Sequence, residues 1–384
     1  MNINETIEKE HSRQIQLGNI ARWKTSSRFE SLLAKMADKS SLAKRLYVIY
    51  YKIIDREYHK VGEKMAEKCI ATHAPNKNRI EKKEILIDAI YSLHRFGCAF
   101  NEYFLFDFQN LNASGRKHFI TDKNRHAYYG ILNNESKYKY FDQKNLCFEK
   151  FKKYYSRECL YVNNDTSTKV ISDFVAKHKK VVFKPVAGSC GSGIRLFDIQ
   201  EKDAILENET NNILSKTPLL IEECLENHKE IKRLAGNCLS TVRMPVIRSK
   251  GKAHIFQSCI RIGRQGSVVD NIGAGGLVAL IDINSGVIVT RAFDKNNKSY
   301  LRHPETDVLI PGFQIPMWNE ALDLAKKLSS VVPDMRYVGW DIALTDRGWV
   351  MIEGNPRGEF YFLQYPDKQG RKNILNNLIS EEIQ

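Results

Sequence analysis

Two acidic residues and an asparagine near the C-terminus have the side chains and the spacing that suit a divalent cation. They are Asp341, Glu353 and Asn355, at and just beyond two strand-like runs, Val338–Leu344 and Trp349–Glu353. Carboxylates that face each other across a sheet repel, so a bound cation is the simplest compensation. Oxygen ligands of this kind suit Mg²⁺ or Mn²⁺. The alternative is a solvated sheet face that carries two acids.

The segment between the two runs decides whether the acids face each other. If Asp346-Arg347-Gly348 forms a three-residue hairpin loop with Gly348 in the left-handed conformation, Thr345 faces Trp349. Successive side chains of a strand point to opposite faces, and this register therefore puts the two acids opposite each other. A two-residue turn would send them to opposite faces, so we predict an odd-length loop.

Upstream, a strand-like run ends in a lysine and a glycine-rich loop follows. Val181–Phe183 leads into Lys184 and Pro185, and residues Gly188–Gly193 contain three glycines and two serines. Such a loop exposes backbone N–H groups to phosphate oxygens, and the lysine adds a point charge. The spacing matches neither a P-loop nor a Rossmann fingerprint, and a flexible hairpin tip would look similar. We interpret Cys190 as a small loop residue, because no Cys–His arrangement accompanies it.

Composition limits the class of protein. The chain has 384 residues, enough for two or three domains. Its net charge of +14 favours polyanionic partners, but a nucleic-acid binder would leave the acid pair unexplained. Eight scattered cysteines without a C-x-x-C pair favour a reduced cytoplasmic protein. No apolar run reaches the roughly 18 residues of a membrane helix, and the polar N-terminus argues against export.

Two regions differ in character. The N-terminal third is predicted to be mainly helical, with basic residues from Lys35 to Lys68 beside apolar residues at helical spacing, namely Leu42, Leu46, Ile49, Ile53 and Ile54. That helix face either packs on the body or docks on a membrane or a lipid-linked anionic substrate. From about residue 140, short strands predict antiparallel sheets in an α+β fold. The predicted helices are Lys82–Phe100 and Trp318–Val332, and the predicted strands are Val181–Phe183, Leu219–Ile221, Ser240–Ile247, His254–Ile262 and Gly276–Ile281.

Several motifs, in order, resemble the ATP-grasp superfamily. They are Phe183-Lys184-Pro185 before the glycine-rich loop, Ile221-Glu222-Glu223, Gly339-Trp340-Asp341 and Glu353-Gly354-Asn355-Pro356-Arg357. Segments Ser240–Arg243, Arg261–Asn271, Ala274–Gly276 and His303–Pro316 are similar to its sugar-transfer-associated branch. The resemblance covers about residues 140–365. It implies an ATP-grasp fold with a lid subdomain over 140–220, a large subdomain over 221–384 and a mainly helical region over 1–135.

The resemblance implies a nucleotide site. Lys184 and a second lysine, for which we choose Lys144 over Lys139 and Lys150, would contact the phosphates of ATP. The loop formed by Gly188, Ser189, Cys190, Gly191, Ser192 and Gly193 would close over the β- and γ-phosphates. Glu222, Glu223 and Leu225 would lie at the adenine, and Glu230, or alternatively His228, would reach the ribose.

It also implies the groups that act on the transferred phosphoryl group. Asp341, Glu353 and Asn355 would hold two Mg²⁺ ions, with Mn²⁺ as the alternative. Arg243, Arg261 and Arg357 would hold the γ-phosphate or an acyl-phosphate, because the arginine fork binds phosphate in a bidentate manner; a surface ion pair is the alternative for each. Asp270 and Asn271 are candidates for orienting the acceptor, with a plain turn as the alternative. His303 either orders a loop or contacts substrate.

The implied reaction is the activation of a carboxylate by ATP to an acyl-phosphate, followed by attack of an amine or amino acid to form an amide. The sugar association of the family suggests a uronic-acid or other glycan-linked carboxylate in polysaccharide biosynthesis, in the cytoplasm or at the inner face of the membrane. A peptide or amino-acid ligase without sugar, and an ATP-dependent phosphotransferase, are the alternatives.

Overall fold

The computed structural model describes residues 28–380, apart from residues 55, 179, 189–192, 199–217, 265–269 and 271. The chain forms two compact units. The first comprises the chain up to Ala127 together with Lys368–Lys372, and the second comprises Tyr128–Asp367 and the chain from Asn373 onward. The expected division of the later chain into a lid and a large subdomain at residue 220 stays a prediction.

The described part of the first unit is helical, as predicted. Its helices are α1 (Arg28–Ala37), α2 (Ser41–Ile54), α3 (Arg56–His73), α4 (Arg79–Phe96), α5 (Phe100–Leu105) and α6 (Ala113–Arg116), and α7 (Asp122–Leu132) spans the boundary between the units. The side chain of Asn78 accepts the N–H groups of Ile80 and Glu81 at the start of α4, and Gly97 ends it. The helix predicted over Lys82–Phe100 therefore exists with earlier limits, because these caps fix both ends.

A buried carboxylate joins the helices of the first unit. Asp88 accepts hydrogen bonds from Arg116 at 2.7 Å, from Lys44 at 2.6 Å and from the hydroxyl of Tyr103 at 2.7 Å. Burial would raise the pKa of Asp88, but the charges of Arg116 and Lys44 outweigh it and lower that pKa. The network fixes α2, α4 and α6 to one another, because a buried charge without partners is strongly destabilising.

The apolar residues at helical spacing on α2 do not pack on the body of the protein. Helix α2 carries apolar residues on two faces, and the face with Ala43, Tyr47 and Val48 is the buried one. The expectation that the other face packs on the body is therefore wrong, because α2 can bury only one of them. The large apolar side chains of α1 and α2 that are exposed are defined here as the apolar stripe. They are Phe29, Leu32, Met36, Leu42, Leu46, Ile49, Ile53 and Ile54.

The second unit combines helices with two sheets. Its helices are α8 (Lys139–Asp142), α9 (Lys144–Phe151), α10 (Thr168–His178), α11 (Lys229–Ala235), α12 (Trp318–Ser329) and α13 (Lys372–Ser380), the last of which starts at the end of the first unit's C-terminal segment. Its strands are β1 (Cys159–Val162), β2 (Lys180–Pro185), β3 (Arg195–Asp198), β4 (Leu219–Glu223), β5 (Thr241–Ser249), β6 (Lys252–Ile255), β7 (Ser258–Ile262), β8 (Leu277–Ile281), β9 (Ala292–Phe293), β10 (Ser299–Tyr300), β11 (Tyr337–Thr345) and β12 (Gly348–Asn355).

All pairs between these strands are antiparallel, which confirms the α+β prediction. The smaller sheet has the order β1-β4-β2-β3, and α10 packs on it through Ile171 and Val175. The larger sheet has the order β10-β9-β8-β7-β5-β11-β12, with β6 paired to β5. Helix α12 buries Ala321, Ala325 and Leu328 against the core of this sheet. The larger sheet thus forms the rigid support for residues on β5, β7, β11 and β12.

The strand predicted over His254–Ile262 is in fact two strands, β6 and β7. The chain breaks at Phe256, whose N–H donates to the carbonyl of Pro245 at 3.0 Å. The side-chain amide of Gln257 donates to the carbonyl of Ile281 at 2.9 Å. Both strands pair with β5, and the register shifts by one residue between them. A continuous apolar pattern does not reveal such a shift.

None of the helices in the described ranges combines the length and the apolar character needed to cross a bilayer.

Candidate active site

Strands β11 and β12 form the hairpin that carries the two acids, with a loop shorter than predicted. Thr345 pairs with Gly348, so only Asp346 and Arg347 lie between the strands. The prediction of a three-residue loop is therefore wrong. Gly348 does have the predicted positive φ, at 89°.

A β-bulge nevertheless brings the acids opposite each other. The register shifts between Asp341 and Ile342, which pair with Glu353 and Met351, respectively. Ile352 is the extra residue, and one extra residue in a strand reverses the faces beyond it. The predicted opposition of Asp341 and Glu353 is thus observed, but the bulge and not the loop length produces it.

Asp341 is completely buried and is bound by two arginines from neighbouring strands. Arg243 on β5 donates through Nε and, at 2.9 Å, through Nη2. Nη2 of Arg261 on β7 lies 2.8 Å from Oδ2 of Asp341. Burial would raise the pKa of Asp341, but these two charges outweigh it and lower that pKa. Arginines of the protein thus compensate this carboxylate, because the pairing of β5 with β11 places Arg243 opposite Asp341.

Glu353 and Asn355 complete the cluster. Nδ2 of Asn355 lies 3.1 Å from Oδ2 of Asp341 and 3.1 Å from Oε1 of Glu353, so an amide donor occupies the point where the two carboxylates converge. The surrounding protein atoms and the charge of Asp341 raise the pKa of Glu353, although its side chain keeps an exposed surface. Glu353 is therefore the acid with less compensation from the protein.

This donor set fits a magnesium ion. A half-turn of the Asn355 amide brings its oxygen to the point now occupied by its nitrogen, which gives three oxygen donors of the kind that Mg²⁺ prefers. Within the described ranges, no group of three or more His, Cys, Asp and Glu side chains is arranged to hold a metal ion. Binding here would thus depend on the asparagine and on ligand oxygens, which is usual for Mg²⁺ bound with phosphates.

Lys184 and Arg157 meet on the carboxylate of Glu222. Nζ of Lys184 on β2 and Nε of Arg157 each lie 2.7 Å from Oε2 of Glu222 on β4. Burial would raise the pKa of Glu222, but the charges of Arg157 and Lys184 outweigh it and hold that pKa at about 2. The carboxylate expected at the adenine is therefore engaged within the protein, where it fixes the direction of Lys184.

The sequence gives no sign of the role of Arg157. Its side chain is 1% exposed, and it donates to the carbonyl of Met351 at 2.7 Å and to that of Ile352 at 3.4 Å. It therefore connects β4 of the smaller sheet to the bulge of β12. Arginine is rarely fully buried, and no motif surrounds this one, so nothing in the sequence would have identified it.

Lys144 is the upstream lysine that lies near Lys184. It begins α9, and its Nζ donates to the carbonyl of Gly188 at 2.9 Å. Burial lowers its pKa, with a contribution from the charge of Lys184, while the charge of Glu353 acts in the opposite direction. The alternatives, Lys139 and Lys150, both lie against the ring of Tyr140, at 5.3 and 5.5 Å.

The other residues predicted to contact the nucleoside lie at and after β4. Glu223 binds Arg347 of the hairpin loop, and Leu225 is half-buried. Nδ1 of His228 accepts the N–H of Glu230 at 3.3 Å and caps α11. His228 thus has a structural role. Glu230 lies in the first turn of α11, and its carboxylate accepts from Nε of Arg233 at 3.1 Å.

The third predicted arginine has different partners from the first two. Arg357 lies over the ring of Tyr138 at 3.9 Å and binds Asp142 at 2.9 Å. Its expected role toward phosphate stays a prediction.

Asp270 is buried and supports Arg261. It accepts hydrogen bonds from the N–H and the hydroxyl of Thr241 at 2.7 and 2.6 Å and lies 3.4 Å from Arg261. Its expected contact with an acceptor stays a prediction. His303 is buried with Nε2 3.1 Å from the carbonyl of Gly263, which favours the loop-ordering role. Ser189, Cys190, Gly191, Ser192 and Asn271 lie outside the described residues.

Comparison with known structures gives low overall similarity. The ATP-grasp ligase PsnB, complexed with minimal precursor, Mg and ADP, is 14% identical with a TM-score of 0.41, over 70% of this chain and 69% of that chain. The Chryseobacterium gregarium RiPP-associated ATP-grasp ligase, in complex with ADP and a leader and core peptide, is 18% identical with a TM-score of 0.41, over 71% and 72%. The ADP complex of purK, N5-carboxyaminoimidazole ribonucleotide synthetase, is 13% identical with a TM-score of 0.38, over 60% and 51%.

The family comparison is decisive. No curated protein matches the sequence, but the model of the sugar-transfer associated ATP-grasp family matches residues 123–379, about two-thirds of the chain. This family match confirms the predictions of the superfamily, of its fold and of an ATP-dependent ligase. The chain belongs to the sugar-transfer-associated ATP-grasp family.

Proposed function

We propose that this ligase activates a carboxylate with ATP and joins it to an amine at the cluster around Asp341. The observation that carries the proposal is the convergence of Asp341, Glu353 and Asn355 on one point, beside two buried arginines. A cluster with both acidic and cationic groups suits a phosphate that arrives with a metal ion. No protein nucleophile is required, because the carboxylate itself attacks the nucleotide.

The lysines and the glycine-rich loop bind the phosphates of ATP. Lys184, oriented by Glu222, and Lys144, at the start of α9, supply positive charge. Residues Gly188–Gly193 close over the β- and γ-phosphates, with their N–H groups as donors. Glu223 and Leu225 lie at the adenine, and Glu230 reaches the ribose.

The acid cluster is the metal site. Two Mg²⁺ ions, with Mn²⁺ as the alternative, would be held by Asp341, Glu353 and Asn355. The metal would neutralise the charge on the transferring phosphoryl group. Arg243 and Arg261 keep the carboxylate of Asp341 in its position by direct contacts. Glu353, which the protein compensates less, is the residue whose loss should affect metal binding most.

The reaction proceeds in two steps. A carboxylate oxygen of the substrate attacks the γ-phosphorus; the bond to the β–γ bridging oxygen breaks, and ADP leaves. The amine nitrogen then attacks the acyl carbon of the acyl-phosphate; the bond between that carbon and the phosphate oxygen breaks, inorganic phosphate leaves, and the nitrogen loses a proton. Arg243, Arg261 and Arg357 stabilise the phosphoryl oxygens during both steps.

The carboxylate belongs to a uronic acid or another glycan-linked acid. The sugar-transfer association of the family and the net charge of +14 support an acidic saccharide. An amino acid or a small amine is the acceptor. An amino-acid or peptide substrate without sugar would use the same residues.

Hydroxylamine tests this proposal. The protein is incubated with ATP, Mg²⁺, hydroxylamine and a panel of uronic acids, glycan acids, amino acids and peptides. A ligase forms ADP and a hydroxamate of the accepted acid. ADP formed together with a phosphorylated hydroxyl compound, and no hydroxamate, would identify a phosphotransferase and contradict the proposal.

The apolar stripe on α1 and α2 provides contact with an anionic membrane surface. Its side chains alternate with basic residues, of which Arg28, Lys35 and Lys39 add positive charge beside exposed apolar groups. An amphipathic surface of this composition binds in the interface of an anionic bilayer. Such contact would bring the site to a lipid-linked acid, while a cytoplasmic location stays a prediction.

Vesicle flotation tests the contact. The protein should float with vesicles that contain anionic lipid and not with neutral vesicles, and Ile49→Glu with Ile53→Glu should abolish flotation. Ile80→Glu is the matched control, because Ile80 is 75% exposed on α4 outside the stripe. An equal loss of flotation in Ile80→Glu would refute membrane docking. Docking would also be refuted if the protein is a dimer in solution and the stripe variant is a monomer, because the stripe would then be a contact between two copies.

A further inference from the structure

The first unit contains a cavity whose lining is strongly basic. Its volume is about 500 Å³, within the range of roughly 300–1,000 Å³ typical of small-molecule sites. The end of α4, the segment after α6, the first turns of α7 and the first residue of α13 line it. Its cationic residues are Arg95, Arg116, Lys117, Lys123 and Lys372, and among the described residues no aspartate or glutamate lines it.

Two acids behind the cavity fix the directions of its arginines. Asp38 binds Nε and Nη2 of Arg95, both at 2.8 Å, and lies 3.5 Å from Lys117. Asp88 binds Arg116 at 2.7 Å. All five N–H groups of Arg116 donate within the protein, to Asp88, Ser92, Phe108 and Leu111. Hydrogen bonds to an anion in the cavity would therefore come from Arg95 and the lysines, and Asp38 holds Arg95 in position for this.

Lys372 reaches the cavity from the other end of the chain. Its N–H donates to the carbonyl of His118 at 2.8 Å, and Lys368 donates to the carbonyl of Leu105 at 2.6 Å, which fastens this short segment to the first unit. Burial lowers the pKa of Lys372, with no contribution from a neighbouring acid. Half-burial of an ammonium group beside other cations is unfavourable unless an anion joins them.

We propose that this cavity binds a phosphate-bearing anion, specifically the diphosphate group of a substrate. Five cations line a concave surface and two carboxylates bind three of them, so the surface keeps an excess of positive charge that suits a ligand of multiple negative charge. Arginine and lysine are the usual partners of phosphate oxygens. The volume exceeds that of a diphosphate alone and leaves room for an attached group. The first unit thereby acquires a ligand site of its own, made from residues that the proposed ATP site does not use.

The diphosphate belongs to either of two sources, a soluble nucleoside diphosphate sugar or a membrane-bound polyprenyl diphosphate. The connection to substrate rests on the proposed function, since a glycan-linked acid is commonly carried on such a group. Binding of the anion does not rest on it. A direct binding measurement therefore separates the failure of this inference from the failure of the ligase proposal.

The test is isothermal titration of the full chain with inorganic diphosphate, in Mg²⁺ and a saturating non-hydrolysable ATP analogue that occupies the nucleotide site. One diphosphate should bind per chain. Lys372→Gln combined with Lys123→Gln should weaken binding about tenfold or more, while Lys372→Arg should retain it. Lys83→Gln, at an exposed lysine of the same unit outside the cavity, should change affinity less than about twofold. Thermal unfolding of each variant verifies that it is folded.

Two further titrations assign the source. In one, a nucleoside diphosphate sugar replaces inorganic diphosphate, and in the other, vesicles that contain a polyprenyl diphosphate replace it. The ligand that binds more tightly, and whose binding depends on Lys372, is the natural source of the diphosphate group. Absence of diphosphate binding to the unmodified chain, or equal weakening by Lys83→Gln, would overturn the inference.

Discussion

Asp341 and Glu353 face each other in the hairpin but have different surroundings. Asp341 is completely buried and shares its oxygens with Arg243 and Arg261, whereas Glu353 keeps an exposed surface and binds Asn355. The pKa of Asp341 is lowered and that of Glu353 is raised. The pair therefore divides into a fixed structural acid and an acid that is free to take a new partner, and their substitutions should have opposite effects on stability.

Glu353→Gln should remove ATP turnover and leave the protein as stable as the natural chain or more stable. Because the folded-state pKa of Glu353 is raised, its contribution to stability is present below its unfolded pKa of roughly 4.3 and is lost as the pH rises through the raised value. At neutral pH the ionised group opposes folding, and glutamine removes that effect. Thermal unfolding and ADP release, both measured as a function of pH, test this; retained turnover would contradict the metal site.

Asp341→Asn should destabilise the protein by about 3–5 kcal/mol, because it leaves two buried arginines without their shared carboxylate. Urea unfolding at neutral pH measures the loss. The effect of Asp341→Asn on ATP turnover therefore combines a loss of catalysis with a loss of folded protein. A loss of less than about 1 kcal/mol would mean that the arginines find other partners.

At the scale of elements, Arg157 connects β4 to the bulge of β12. Arg157→Met should destabilise the protein by about 3–5 kcal/mol, because Glu222 then stays buried with Lys184 as its remaining cation. In a double-mutant cycle with Glu222→Gln, the two losses should fall short of additivity by about 0.5–3 kcal/mol. Urea unfolding of the four proteins measures the coupling, and strictly additive losses would mean that the ion pair does not join the two strands energetically.

The hairpin turn depends on one glycine. Gly348 has a φ of 89°, and an added Cβ there would meet open space, so Gly348→Ala tests backbone strain alone. We expect a loss of about 1–2 kcal/mol. Gly130→Ala is the matched control, because that exposed helical position also has open space and should gain roughly 0.4–1 kcal/mol. Equal effects at both positions would contradict the strained turn.

The sequence predicted the elements of the site better than their details. Alternation along β11 and β12 was enough to suggest that Asp341 faces Glu353, yet the two-residue loop and the bulge at Ile352 replaced the predicted loop. A bulge leaves no mark in an apolar pattern, because Met351 and Ile352 are equally good strand residues. The break between β6 and β7 was missed for the same reason, since it depends on hydrogen bonds to other strands.

Burial of charge was the other feature that the sequence did not reveal. Lys184, Lys144 and Glu222 were recognisable from motifs, but the ion pair of Glu222 with Lys184 and the arginine that shares it were not. Likewise, the apolar residues of α2 looked like a packing face and are exposed. In each case the decision depends on which tertiary neighbours are present, and spacing along one segment does not contain that information.

At the scale of the whole molecule, the chain combines an ATP-grasp body with a helical unit that has binding features of its own. The family match begins at residue 123, close to the end of the first unit's main segment. The proposed nucleotide site lies in the second unit, whereas the cationic cavity and the apolar stripe belong to the first. Recognition of substrate by the first unit and catalysis by the second would explain why the chain carries both.

Oxygen transfer from substrate to phosphate tests the proposed reaction most directly. The acid that forms a hydroxamate is labelled with ¹⁸O in its carboxylate and incubated with ATP, Mg²⁺ and the amine, and the released phosphate is analysed by mass spectrometry. An acyl-phosphate predicts one ¹⁸O in each phosphate, and no labelled phosphate with Glu353→Gln. Unlabelled phosphate formed along with the amide would contradict activation of the carboxylate by phosphoryl transfer.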